Sequence, residues 1–131
     1  MEALNGLSKY AHWALRIALA SVFIFHGVQK LTNLQGSAEM MGQNIVLWTI
    51  VALLETIGGI LVLAGGVGPD ILTRLGGLML IPPMLGAIFT VHLPNWSFMN
   101  GGAEFQTTLL LVSLFLVLVG NSMNQGFAEK S

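Results

Sequence analysis

Residues 45–64 read IVLWTIVALLETIGGILVLA, an apolar run in which Glu55 is the single charged residue. A helix of about 20 such residues crosses the roughly 30 Å hydrocarbon core of a bilayer. Three further apolar stretches cover residues 12–31, 71–91 and 104–120. Open sheets cannot span lipid, and eight or more strands of alternating polarity are not visible. The sequence therefore predicts an all-α fold, a transmembrane four-helix up-down-up-down bundle forming a single domain over residues 1–131.

The composition excludes several classes of function. The chain is 54% hydrophobic and 8% charged, whereas a soluble domain carries about 25% charged residues. The net charge of −1, without a basic patch, argues against a nucleic-acid partner. The sequence has no cysteine, so its own residues supply neither disulfides, nor iron–sulfur ligands, nor a covalent c-type haem attachment. The first stretch carries Arg16 and lacks a small-residue cleavage site, so we expect a retained helix and no signal peptide.

Polar segments separate the four stretches. The first connection is a polar linker at residues 32–44, the second a tight turn with three glycines and Pro69, and the third the aromatic-containing segment 94–103. An even number of spans places both termini on one side of the membrane. The basic residues favour that side as cytoplasmic in a bacterial inner membrane. The residues are Lys9, Arg74 and Lys130 on the terminal side, against Lys30 on the other.

The third stretch contains Pro82-Pro83 in its interior. Each proline removes a backbone donor and disturbs the preceding turn. One interpretation is a packed kink, which is common in membrane helices. The other is that the freed carbonyls of Leu78 and Met79 face a cavity or a ligand.

Ionisable residues within the spans define the candidate site, because such side chains are costly in lipid and turn towards the protein interior. At about 100° per residue, Arg16, His26 and Lys30 share one stripe of the first helix. Glu55 lies near the middle of the second span, where an unpaired carboxylate would take up a proton. By depth, Arg16 is its expected charge partner. Two readings stay open, a structural ion pair or a protonatable site for quinone or proton handling.

A second group of ionisable residues is predicted in one leaflet. The first and third helices run in the same direction, so His26, Lys30 and His92 reach the same side, where Glu104 opens the fourth helix. Histidine titrates near neutrality and can exchange hydrogen bonds with a quinone oxygen. A b-type haem held by the two histidines is disfavoured because Lys and Glu lie beside them. A metal site is a minor alternative because no close-spaced ligand pair supports it.

The chain resembles the DoxX family of small four-helix membrane proteins. The resemblance rests on Arg16, on His26-Gly27-x-x-Lys30-Leu31, on Glu55-x-x-Gly58-Gly59, and on the histidine and acidic residue that flank the third connection. Pro82-Pro83 in the third helix departs from the family pattern. The resemblance implies a membrane subunit near quinone chemistry more than it implies a named reaction.

Three functional hypotheses follow. The first is an accessory, non-catalytic subunit of a larger quinone-linked respiratory or photosynthetic electron-transfer complex. The second is a quinone-binding oxidoreductase subunit, and the third is a membrane assembly factor. Lipid, larger redox or photosynthetic subunits and a quinone are the expected partners, and no covalently bound cofactor is expected. No catalytic residue or metal ligand is assigned, and the candidate binding residues form a polar interior cluster of Arg16, His26, Lys30, Glu55, His92 and Glu104.

Overall fold

A computed structural model describes residues 1–126, and all regular structure in that range is helical. The described part contains six α-helices: α1 (Glu2–Leu7), α2 (His12–Thr32), α3 (Leu34–Met40), α4 (Ile45–Ala64), α5 (Asp70–Ala87) and α6 (Glu104–Val119). A π-helical turn, Ile88–His92, continues α5. Short 3-10 turns follow α1, precede α6 and follow α6, at Ser8–Tyr10, Phe98–Asn100 and Gly120–Asn124.

The prediction of an all-α protein with four spans is confirmed. Four helical segments are long and apolar enough to cross a membrane: Glu2–Thr32, Ile45–Ala64, Asp70–His92 and Glu104–Asn124. Helix α4 packs between α2 and α5, and α6 packs on the other side of α5. Helices α2 and α6 contact each other over a much smaller area. Each span therefore packs mainly against its neighbours in sequence, as expected of an up-down-up-down arrangement.

The bundle has two distinguishable ends. The terminal end holds α1, the turn between α4 and α5, and the chain after α6, where Gly126 lies against Ser8 and Lys9. The loop end holds α3 and residues 93–103. Arg74 and Lys9 lie at the terminal end and Lys30 lies towards the loop end. Lys130, which contributed to the orientation argument, lies outside the described residues. The side that faces the cytoplasm therefore stays a prediction.

The structure adds three details to the predicted connections and kink. The polar linker at 32–44 contains α3, because the Asn33 side chain caps it by accepting the Gly36 N–H at 3.2 Å. Asn44 caps α4 in the same way through the N–H groups of Val46 and Leu47. Helix α5 continues past Pro82 and Pro83 to Ala87, and only then widens into the π-helical turn.

Glycines bring α4 and α5 into backbone contact. A β-carbon on Gly76 would lie 2.8 Å from the Val62 backbone nitrogen and 2.9 Å from the Gly58 carbonyl oxygen. Gly58 in turn would place a β-carbon 3.1 Å from the Gly76 oxygen. Small residues allow this approach, and in lipid the resulting van der Waals contact is a principal source of helix association. Gly58 of the Glu55-x-x-Gly58-Gly59 element therefore sets the distance between α4, which carries Glu55, and α5.

We expect Gly76→Ala to destabilise the bundle, because the new methyl group meets backbone atoms that cannot move independently. A loss of about 1–3 kcal/mol is typical of such overpacking. Gly86→Ala is the matched control on the same helix, since no atom lies within 4 Å of its would-be β-carbon. Thermal unfolding in detergent, followed by circular dichroism, should show a lower midpoint for Gly76→Ala alone. Equal midpoints for the two variants would contradict this packing role.

Candidate functional site

Arg16 is completely buried at the terminal end of the bundle. Its Nε donates to His12 Nδ1 at 3.0 Å. Nη1 donates to the Val62 carbonyl at 2.7 Å and to Thr73 Oγ1 at 2.8 Å. Nη2 donates to the side-chain oxygens of Asn121 at 2.9 Å and Asn124 at 3.2 Å. A guanidinium has five N–H donors, so each donor of Arg16 has one acceptor.

We call Arg16 and these acceptors the Arg16 cluster. The five acceptors come from all four spans, with His12 on α2, Val62 on α4, Thr73 on α5 and the two asparagines after α6. All of them are neutral, and no ion pair of Arg16 exists within residues 1–126. Because His12 Nδ1 accepts a hydrogen bond, its ring proton lies on Nε2. The cluster is therefore a hydrogen-bonded junction of the whole bundle.

Gly120 allows the chain to return to Arg16 after α6. Its backbone has φ 57° and ψ −145°, a conformation that residues other than glycine rarely adopt. The turn brings the Asn121 N–H to Asp70 Oδ1 at 2.5 Å and the Asn121 amide to the Gly68 carbonyl at 3.0 Å. Two hydrogen bonds thus fix Asn121 in the position from which its side-chain oxygen accepts from Arg16.

Arg74 closes the other side of this turn. It pairs with Asp70 at 2.5 Å on the same helix. Its Nη1 also donates to the Val117 and Leu118 carbonyls at 2.6 and 3.0 Å. The last carbonyls of a helix have no hydrogen-bond partner within the helix. A cation near them also interacts favourably with the negative end of the helix dipole. Arg74 therefore caps the C-terminal end of α6 from a partly exposed position on α5.

The second buried charge, Glu55, pairs with Lys30. Lys30 Nζ lies 2.6 Å from Glu55 Oε2, and the Glu55 side chain is 4% exposed against 15% for Lys30. The ammonium also lies 5.1 Å from the centre of the Trp48 ring. The Trp48 indole N–H donates to Ser37 Oγ at 2.8 Å, which links this pair to α3. We call Lys30, Glu55 and Trp48 the Lys30 site.

The predicted Arg16–Glu55 pair is wrong, and the helix register explains the error. Helices α2 and α4 are antiparallel, with Gly27 against Thr56 and Arg16 bonded to Val62. Glu55 precedes Val62 by seven residues, which is roughly 10 Å of helix. Arg16 is thus at the wrong depth, whereas Lys30 lies one turn beyond Gly27 and its long side chain reaches back to Glu55.

His26 was predicted in the polar interior, but it faces outwards from the described bundle. Its side of α2 is exposed, as is neighbouring Phe25 at 63%. The two rings contact edge to face with centres 5.4 Å apart. On the helical wheel His26 lies at the margin of the Arg16 stripe, and α4 covers only the central part through Gly27. A titratable side chain therefore lies on the outer surface of a span, one turn before Lys30.

His92 and Glu104 lie at the loop end, as predicted, but they do not join an interior cluster. His92 Nδ1 donates to the Gly101 carbonyl at 2.7 Å, and Glu104 Oε1 accepts the Phe98 N–H at 2.5 Å. No hydrogen bond or ion pair within residues 1–126 connects either residue to Lys30 or Glu55. That range also contains no group of three His, Asp or Glu side chains able to hold a metal ion. Both side chains are engaged by the loop between α5 and α6.

Sequence reasoning missed several members of the two sites. His12 precedes Arg16 by four residues, and Trp48 precedes Glu55 by seven, so both pairs share a helix face. This spacing is a signal that could have identified them. The neutral acceptors on other helices, Thr73, Asn121 and Asn124, carry no comparable signal, because nothing in their spacing indicates contact with Arg16.

Replacement of Arg16 by lysine tests the Arg16 cluster. The charge is kept, but an ammonium has three donors, so at least two of the five acceptors lose their partner. An unsatisfied buried acceptor costs about 1–3 kcal/mol, and we expect a fall in stability of that order per lost bond. The measurement is thermal unfolding in detergent.

Arg74→Lys is the control for that variant. The Arg74 side chain is 40% exposed, so water or lipid headgroups can replace its bonds and a change under about 1 kcal/mol is expected. If Arg16→Lys unfolded at the same temperature as the original protein, the five hydrogen bonds would not be what fixes this end of the bundle.

Comparison with known proteins identifies the family. The DoxX family matches residues 11–93, a range that contains Arg16, the Lys30 site and His92. A protein of Bacillus subtilis (strain 168) named "Putative oxidoreductase CatD" is 34% identical over 110 residues, covering 82% of this chain and 77% of the relative. No solved structure matches. With four apolar spans and this match, the chain is an integral membrane protein and belongs to the DoxX family.

Proposed function

We propose that this protein is an accessory, non-catalytic subunit of a larger quinone-linked membrane oxidoreductase complex. The observation that carries the proposal is His26 on the outer surface of α2. A polar ring that faces hydrocarbon is unfavourable, and ionisable residues in spans normally turn towards protein. A partner subunit packed on the outer face of α2 would bury His26 and Phe25 together. The similarity to a relative named as an oxidoreductase supports a redox complex as the setting.

The state of the buried charges agrees with an accessory role. Every donor of Arg16 is used inside the bundle, and Lys30 and Glu55 neutralise each other. These interactions stabilise the subunit and leave its outer surfaces as the places where it contacts other molecules. Membrane helices associate through packing and interhelical hydrogen bonds, and an outward histidine provides such a bond.

Photocrosslinking from α2 tests this proposal. A benzoylphenylalanine at Phe25 should give a covalent adduct with a larger, cofactor-bearing subunit in native membranes. Phe89 is the matched control, because it is also an exposed phenylalanine towards the loop end, at 69%, but lies beyond α5. We expect a partner adduct from position 25 in clear excess over position 89, and co-elution of that partner in mild detergent.

Three outcomes would contradict the proposal. The first is that benzoylphenylalanine at position 25 labels only lipid or a second copy of the chain. The second is a protein that purifies without any partner. The third is a partner that is captured during assembly but missing from the mature complex, and this result would favour the assembly-factor hypothesis.

A quinone site at the Lys30 site is the second candidate. The specific observation in its favour is that the outward His26 lies one turn before Lys30 on α2, and that the partly exposed Lys30 pairs with the buried carboxylate of Glu55 on α4. Such groups can donate protons to, and accept them from, a quinone that arrives through the bilayer. Here the electrons would come from a partner and the protons would pass through His26 and Glu55.

Quinone-linked turnover of the membrane complex separates the two candidates. His26→Leu and Glu55→Gln should each lower turnover at least tenfold if these residues handle the quinone protons, in line with typical general acid–base contributions of about 10²–10⁴-fold. His92→Leu is the control, because this histidine ends the π-helical turn after α5 and is bonded to Gly101, away from the Lys30 site. Turnover that stays normal in both variants, with the complex intact, would exclude the quinone site.

A further inference from the structure

A groove lined by aromatic side chains opens at the loop end beside α6. It has a volume of about 580 Å³ and is lined by Trp96, Phe98, Glu104, Phe105 and Thr108. Trp96 and Phe98 are 60% and 63% exposed. Neither the Arg16 cluster nor the Lys30 site contributes to it. We call it the headgroup groove.

Hydrogen bonds to Glu104 hold the aromatic residues in place. The Glu104 N–H donates to the Trp96 carbonyl at 2.9 Å, and Glu104 Oε1 accepts the Phe98 N–H at 2.5 Å. The rings of Phe98 and Phe105 contact at a 70° angle with centres 6.2 Å apart. The loop below them is packed, since Ala103 is 1% exposed. The groove is therefore formed before any ligand binds.

The carboxylate of Glu104 has no cationic partner within residues 1–126. A carboxylate flanked by aromatic faces is complementary to an ammonium group, because the ring faces and the carboxylate both attract positive charge. The Trp96 indole N–H has no hydrogen-bond partner in the described part of the chain and can donate to a phosphate. The groove thus offers acceptors for a cation and a donor for an adjacent anion, as a zwitterionic headgroup requires.

A second groove continues from the first towards the middle of the membrane. It has a volume of about 370 Å³ and is lined by Leu15, Thr108, Leu111, Val112 and Phe115. Thr108 belongs to both grooves. From Glu104 to Phe115 the helix rises by roughly 16 Å, a length comparable with a phospholipid acyl chain. The groove at the loop end and the groove below it share Thr108 and follow one another along α6, and we call the two together the α6 channel.

We propose that this channel binds one phospholipid with an ammonium headgroup, such as phosphatidylethanolamine. The ammonium contacts Glu104 and the aromatic faces, the phosphate accepts from Trp96, and one acyl chain lies between α2 and α6 along Leu111 and Phe115. The bound acyl chain occupies the space between α2 and α6, which make little direct contact with each other. This site is independent of the proposed function.

Native mass spectrometry of the full chain tests the proposal. The protein is released from detergent after incubation with phosphatidylethanolamine or with phosphatidylglycerol of the same acyl chains. Both lipids carry the phosphate, but only the first carries the ammonium. We expect retention of one lipid, with phosphatidylethanolamine favoured by roughly tenfold, as suits a charge-assisted contact.

Three variants divide the site into its parts. Glu104→Gln keeps an acceptor for the Phe98 N–H and should bind both lipids equally. Thr108→Phe fills the junction of the grooves and should lose both lipids. Glu39→Gln removes a carboxylate at the same end, where Glu39 contacts Gln35 at 3.0 Å, and should keep the preference. Because Thr108 is on the surface, its replacement remains informative if Glu104→Gln fails to fold.

Two results would overturn the proposal. Equal retention of the two lipids by the unaltered protein would show that the aromatic residues act as a general interfacial anchor. A retained molecule identified as a quinone, with the same occupancy in Glu104→Gln, would assign the channel to a neutral ligand.

Discussion

The five hydrogen bonds of Arg16 are the interaction on which the rest of the bundle depends. A buried guanidinium is tolerated only when each of its donors is satisfied, and here the acceptors come from all four spans. Lysine could not serve equally, because its three donors lack the fixed planar geometry of the guanidinium. The terminal end is thus closed by a single residue. Among the described residues the loop end has no equivalent, since Lys30 and Glu55 connect α2 to α4 without reaching α5 or α6.

This asymmetry explains where the candidate sites lie. Lipid gives helices no hydrophobic reason to associate, so polar junctions and backbone contacts at glycine hold them together. Gly58 and Gly76 bring α4 and α5 into close backbone contact at one point, while Arg16 fixes all four spans at one end only. At the loop end α6 and α2 are less constrained by each other. His26, the Lys30 site and the headgroup groove all lie in this half of the molecule, where the surface can accommodate another molecule without breaking the Arg16 cluster.

The sequence was sufficient for the four spans because lipid forces every backbone polar group to be satisfied within a helix. It also placed Arg16 and Glu55 inside correctly, since a charged side chain at that depth has no other favourable environment. It failed on their partners. The depth of a residue in the membrane cannot be predicted to better than a turn or two on each of two antiparallel helices. That error was large enough for Arg16 to be predicted as the partner of Glu55 in place of Lys30. His26 failed for a different reason: a helical wheel gives the angle of a side chain but does not show which neighbour covers that angle.

The chemistry of these side chains limits what an oxidoreductase role can mean for this protein. The 131 residues include no cysteine, and the charged groups inside the described bundle are engaged with one another or with neutral acceptors. Such groups can bind, orient and exchange protons, but they do not carry electrons. A redox function for the chain therefore requires an electron carrier other than these side chains, and in the proposed complex a partner subunit or a quinone fills that role. In that proposal both meet the protein at its outer surface, where His26 of α2 is exposed. The exposed position of His26 on α2 therefore supports the proposed complex, because a partner subunit packed there would bury it.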